Sequence, residues 1–186
     1  MASKVGFFLG TFDPIHNGHV AVIKKVLEEK LVDYVIVVPC PQNPWKKNKP
    51  VNLGLRYWMC MAAIEGINKV YVETGTNFLW DDAGLEFSYQ QLQAILKKRK
   101  WYKDKELYII CGTDVYDNIK YWKNSEWILE NFKLIGIYRP NYAAETDPNI
   151  PELCSSDIRA GKVSLGDNVP EGVAKLIKQY KLYETK

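Results

Sequence analysis

The chain has few of the residues that hold small proteins together by covalent or metal chemistry. Among 186 residues there are four cysteines, Cys40, Cys60, Cys111 and Cys154, and two histidines. No two cysteines form a CxxC pair, which argues against a zinc site. They fall in apolar or mixed runs, as small hydrophobes do in a reducing compartment. Charge of one sign is scarce as well. Lys+Arg is 25 against Asp+Glu 22, a net +3, too mild to argue for a nucleic-acid partner. The longest apolar run, around residues 35–38, falls far short of the roughly 20 residues that span a bilayer. The start Met1-Ala2-Ser3-Lys4 fits no signal peptide. The expectation is a cytoplasmic protein without membrane or nucleic-acid partners. A hydrophobic share of 47% and a charged share of 25% match an ordinary globular chain and exclude a disordered one. At this length one domain buries well over half of its unfolded surface without staples.

Short apolar runs at residues 5–9, 34–38, 70–73, 107–110 and 134–138 read as buried parallel strands. Between them, 15–30, 53–65 and 87–99 read as helices. Val20, Ile23, Val26 and Leu27 share one face of the first, and Tyr89, Leu92, Ile95 and Leu96 one face of the third. Alternating strands and helices predict an α/β fold with a mostly parallel sheet. Residues 39–52 and 139–154 are proline-bearing connections. Two short helices are expected near 155–160 and 170–180. The run Lys97, Lys98, Arg99, Lys100, Lys103, Lys105 reads first as a solvated helix end, where cations are favoured, and second as a polyanion or partner surface.

The chemistry concentrates after the first strand, at Gly10-Thr11-Phe12-Asp13-Pro14-Ile15-His16-Asn17-Gly18-His19. In open α/β sheets, ligands bind at the C-terminal ends of strands. Gly10 permits close backbone approach, and a following helix N-terminus suits phosphate. Neither GxxxxGK[ST] nor GxGxxG occurs. In their place stand both histidines of the chain, three apart, expected on one helix face. Imidazoles there can donate to phosphate oxygens and meet transition-state charge. Gly18 between them would leave room for a ligand. Far downstream, Ser155-Ser156-Asp157-Ile158-Arg159 opens another helix with two hydroxyls and a guanidinium. Alone it reads as an ordinary N-cap. With the histidine pair it makes two half-sites for one polyphosphate.

These two motifs resemble those of the HxGH nucleotidyltransferase superfamily. GTFDPIHNGH stands for its G-[GS/T]-[FS]-x-P-x-H-x-G-H, and LCSSDIR for its I-S-S-T-x-I-R. Gly112-Thr113-Asp114, Trp122 eight residues on, Tyr138-Arg139-Pro140 and Arg56 resemble the nicotinate/nicotinamide mononucleotide adenylyltransferase branch. The resemblance covers nearly the whole chain. It implies a Rossmann-like open parallel sheet of about five or six strands with helices on both faces. A core over about residues 1–140 and a small helical C-terminal subdomain over about 152–186 would form one domain.

The activity implied is adenylyl transfer from ATP to a pyridine mononucleotide, with magnesium carried on the ATP. By the same resemblance, His16, His19 and Arg159 are catalytic. ATP would also meet Gly10, Thr11, Gly112, Asp114, Ser155 and Ser156. Lys46, Trp122, Phe12 and Ser88 would meet the mononucleotide. Trp122 has the alternative of a packed aromatic. No metal-ligating residue is implied, and a homo-oligomer is left open.

The chain departs from the bacterial nicotinate pattern at two places. It has Asn43-Pro44-Trp45-Lys46 for P-P-H-K, and Ser88-Tyr89-Gln90-Gln91-Leu92-Gln93 for S-Y-T-x-D-T. Both fall on the mononucleotide side, so nicotinate and nicotinamide remain alternatives. Another adenylyltransferase of the same fold, acting on phosphopantetheine, and a non-catalytic nucleotide-binding module are the further readings.

Overall fold

The computed structural model describes residues 2–41, 49–73, 88–137 and 150–184, apart from the side chain of Asp114. Five strands form one parallel sheet: β1 (Lys4–Gly10), β2 (Tyr34–Pro39), β3 (Val70–Val72), β4 (Glu106–Gly112) and β5 (Lys133–Ile137). Their order is β3-β2-β1-β4-β5. Seven α-helices occur among the described residues: α1 (Asn17–Glu28), α2 (Leu53–Ala63), α3 (Ser88–Lys98), α4 (Thr113–Asn118), α5 (Ser125–Asn131), α6 (Ser155–Arg159) and α7 (Glu171–Gln179). Tight 3₁₀ turns at Lys100–Tyr102 and Ile119–Tyr121 follow α3 and α4.

The continuous apolar strands are explained by two covered faces. Side chains alternate across a strand. On β2, Val35 and Val37 enter one core, and Ile36 and Val38 enter the other. On β4, Ile110 faces the first core, while Ile109 and Cys111 face the second. Helices α1, α2, α6 and α7 cover the first face through Ile23, Met59, Ile158 and Val173. Helices α3 and α5 cover the second through Leu92, Ile95 and Ile128. The C-terminal helices therefore share the core of α1 and α2, and Gly172 of α7 lies against Ala62 of α2.

Two sequence expectations change. The first helix starts at Asn17, because His16 is its N-cap with extended backbone, φ −140° and ψ 173°. Helices α4 and α5, between β4 and β5, were absent from the reading. TDVYDN has no apolar periodicity and favours turns by composition, and SEWILEN spans only two turns. No described helix is long and apolar enough to cross a membrane.

Candidate active site

The sheet fixes where a ligand meets the chain. Strand order reverses between β1 and β4, and the crevice beyond such strands is the binding position of open α/β sheets. The β1–β4 register pairs Phe8 with Ile110. Gly10 and Gly112 are the last residues of these two neighbouring strands.

The histidine pair closes the loop after β1. His16 is 4% exposed, and its ring centroid lies 3.7 Å from that of His19 at 34°. The His16 backbone N–H donates to Nδ1 of His19 at 3.2 Å. With Nδ1 accepting, a neutral His19 ring carries its proton on Nε2. Phe12 braces this ring edge-on, centroids 5.1 Å apart, with Phe8 behind at 5.5 Å from Phe12.

Phe12 is 3% exposed with φ 48°, so its side chain supports His19 from the core. Gly18 differs from the expectation. A Cβ there would stand 3.1 Å from the His16 ring and 3.1 Å from the Pro151 carbonyl oxygen, so the space serves the protein's own packing. The Asn17 backbone N–H at the helix start is spent as well, donating to Asn168 O at 2.9 Å.

The second motif is bolted onto this loop. Ser155 Oγ donates to Pro14 O at 2.9 Å, and Arg159 Nη1 donates to Asp13 O at 2.6 Å. Arg159 Nε also lies 3.7 Å from Asp13 Oδ2. The hydroxyl proton of Ser155 is therefore committed to the backbone. Ser156 is exposed. Asp13, 5% exposed, is a connecting group that the sequence reading passed over. Its Oδ1 accepts from Tyr183 Oη at 2.8 Å and from the Val51 N–H at 3.3 Å.

Arg56 braces the same loop from α2. It is 2% exposed. Its Nε donates to Val51 O at 2.8 Å, and its Nη1 donates to Thr11 O and Cys40 O, each at 2.6 Å. One guanidinium thus joins the ends of β1 and β2. Burial pushes the Cys40 thiol up to about 12, against the opposing pull of Arg56.

The model of the cytidylyltransferase-like family matches residues 7–161. A Bacillus licheniformis protein named "Probable nicotinate-nucleotide adenylyltransferase" is 30% identical over 98% of this chain and 99% of its own length. One of the same name from Corynebacterium glutamicum is 31% identical over 97% and 88%. The chain belongs to the cytidylyltransferase-like family, among the nicotinate-nucleotide adenylyltransferases. The fold agrees. A Plasmodium falciparum nicotinic acid mononucleotide adenylyltransferase complexed with APC superposes with a TM-score of 0.68, at 18% identity over 97% of both chains. The same enzyme complexed with NaAD gives a TM-score of 0.64.

Within this adenylyltransferase frame, the structure gathers Gly10, Thr11, His16, His19, Ser155, Ser156 and Arg159 around one loop, beside Gly112. Trp122 caps the turn after α4, half-buried against the second-face core. Ser88 opens α3, half-buried. Among the described residues, neither is hydrogen-bonded to the histidine loop. Lys46 and Tyr138-Arg139-Pro140 lie outside the described residues, as does the side chain of Asp114. Thr113 was missed by the sequence reading. Its hydroxyl is buried just after β4 with no hydrogen-bond partner among the described residues. In the basic run, Arg99 is tied down by Nε and Nη2, at 3.0 and 2.8 Å from the buried Glu73 carboxylate.

Proposed function

We propose that this protein joins ATP and nicotinate mononucleotide to give the dinucleotide and pyrophosphate, in NAD biosynthesis. One observation carries the reading: Arg159 and Ser155 are bonded to Asp13 and Pro14 of the histidine loop. Two motifs some 140 residues apart thereby form one cradle at the β1–β4 crevice. Full-length relatives that share the adenylyltransferase name support the same substrate pair.

In this reading the 5′-phosphate of the mononucleotide attacks the α-phosphorus of ATP. The new bond joins that phosphate oxygen to the α-phosphorus, and the bond to the β-phosphate bridging oxygen breaks in line. The attacking phosphate is already anionic, so no strong base is needed. Catalysis is positioning plus charge stabilisation. His19 Nε2–H and His16 meet charge at the α-phosphate. Ser156 and Arg159 hold the departing pyrophosphate, with Gly10, Thr11 and Gly112 bringing backbone close. Asp114 would accept from a ribose hydroxyl, and Trp122 would stack on the pyridine ring, with Lys46 on phosphate and Ser88 nearby. Magnesium would arrive on the ATP and keep phosphate and water as ligands. Asp13, within the histidine loop, is already engaged by Tyr183, Val51 and Arg159.

The test is pyrophosphate release from Mg-ATP, run in parallel with nicotinate mononucleotide, nicotinamide mononucleotide and phosphopantetheine. The expected result is turnover with the pyridine nucleotides and a kcat/KM that favours the acid. Preference for the amide would move the protein to the nicotinamide reading. Activity only with phosphopantetheine would keep the cradle chemistry and overturn the substrate.

A further inference from the structure

The chain end after α7 is built with unusual backbone for residues that carry side chains. Leu182 N–H donates to Ile177 O at 2.9 Å and Lys181 N–H to Lys178 O at 3.3 Å. This is a Schellman closure with Lys181, φ 48°, where glycine is preferred. Two residues later Tyr183 is again left-handed, φ 66°. A bulky side chain in that region is a costly outlier that persists only when its surroundings over-determine it, and such strain clusters at functional sites. Here the surroundings are a packed core and a buried carboxylate. The Tyr183 ring packs on the first-face core, and its hydroxyl donates to Asp13 Oδ1 at 2.8 Å across 170 residues of sequence. Burial, and then the Asp13 carboxylate, push the Tyr183 hydroxyl well above the usual tyrosine range, so its oxygen remains a donor.

We propose that Tyr183 is a positioning residue of the polyphosphate cradle: its hydroxyl fixes the Asp13 carboxylate, and Asp13 engages Arg159 at Nη1 and faces Nε, so that Nη2 is presented to phosphate. The inference rests on the reading of Arg159 as a phosphate ligand. The geometry is a relay. Asp13 takes Nη1 with its carbonyl at 2.6 Å and faces Nε with Oδ2 at 3.7 Å. Among the described residues no hydrogen bond occupies Nη2. Val51 N–H shares Oδ1 with Tyr183, so without the phenol the carboxylate keeps one weak donor and is free to rotate away from Arg159.

The test compares Mg-ATP and pyrophosphate binding by titration calorimetry in the wild type, Tyr183→Phe, Arg159→Lys and the double variant. Melting temperatures are recorded alongside. Tyr183→Phe deletes one oxygen and keeps the ring. The expected result is Mg-ATP and pyrophosphate binding weakened roughly three- to tenfold, the scale of one ordinary hydrogen bond. The loss should shrink to less than about twofold in the Arg159→Lys background, because residues in one network couple. In turnover, kcat/KM for ATP should fall while KM for the mononucleotide stays unchanged. Asp13→Asn keeps the acceptor for Tyr183 but removes the charge facing Arg159, so it should reproduce the binding loss with the chain end in place. Wild-type affinity in Tyr183→Phe, or an equal loss in both backgrounds, overturns the proposal. These readouts need no turnover. A wild type that binds Mg-ATP but makes no dinucleotide overturns the functional reading alone, and one that binds neither ligand overturns both.

Discussion

Arg159 reaches across 146 residues of sequence to donate from Nη1 to the backbone carbonyl of Asp13, 2.6 Å away. That bond joins two motifs that are separately ordinary. A guanidinium on a five-residue helix would otherwise be a loose cation. Bonded to the loop that carries His16, it is oriented before a ligand arrives, and pre-ordered donors are what a charge-stabilising site requires.

Arg56 is the structural counterpart, and its removal should be felt in stability. Arg56→Met leaves the carbonyls of Val51, Thr11 and Cys40 short of donors in a buried place. We expect a loss of about 3 kcal/mol or more. Urea unfolding followed by circular dichroism measures it, and a loss below about 1 kcal/mol would show that water replaces the guanidinium.

The thiols should separate by accessibility. Cys154 is exposed, while Cys60 and Cys111 are buried. Burial holds the Cys40 thiol near 12 and raises that of Cys60 as well, and the thiolate is the reactive form. Iodoacetamide on the native protein at mildly alkaline pH should modify Cys154 first, read by mass spectrometry of the peptides. Labelling of Cys40 at an equal rate would contradict its described environment.

At the opposite end of the sheet, Lys133 Nζ lies 2.9 Å from Glu106 Oε2, joining the starts of β5 and β4. The hydrogen bond from Lys133, then that from Tyr108, holds the Glu106 carboxyl below its ordinary 4.5, and the same contact raises Lys133 above 10.5. A depressed carboxyl stabilises above its unfolded pKa and loses that contribution as pH falls through the folded value. A raised ammonium stabilises below its unfolded pKa and loses its contribution as pH rises through the folded one. The urea midpoint difference between wild type and Lys133→Met should therefore form a plateau between 4.5 and 10.5 and shrink beyond either end. A difference constant with pH would mean that the pair acts by packing alone.

Most of the frame was readable in the sequence, for identifiable reasons. YVIVV of β2 is apolar on both faces because the sheet is covered twice, and Leu92 and Ile95 carry the period of a helix on one of those faces. The histidine loop and Ser155–Arg159 were readable as chemistry because their residue types are rare in combination. Helices α4 and α5 were not, since six or seven residues give no period to read. Gly18 was misread as ligand clearance because a glycine records only that something comes close, and here it is His16 and Pro151. Asp13 and Tyr183 were invisible as a pair: a hydrogen bond across 170 residues leaves no local pattern.

Trp122 sits half-buried against the second-face core, so its substitution should have two effects. Trp122→Ala should raise KM for the mononucleotide while leaving KM for ATP near wild type, and should lower the melting temperature through lost packing. Steady-state kinetics with each substrate varied in turn separates these effects, and an unchanged mononucleotide KM would assign Trp122 to packing alone.

The most direct test is the single-turnover rate of dinucleotide formation from Mg-ATP and nicotinate mononucleotide, wild type against His19→Ala. In the proposed reading Nε2 of His19 donates to the α-phosphate, so the variant should form product roughly 10²-fold more slowly or worse, with Mg-ATP affinity changed far less. Product formation by His19→Ala within a few fold of wild type, or none by the wild type, would contradict the account.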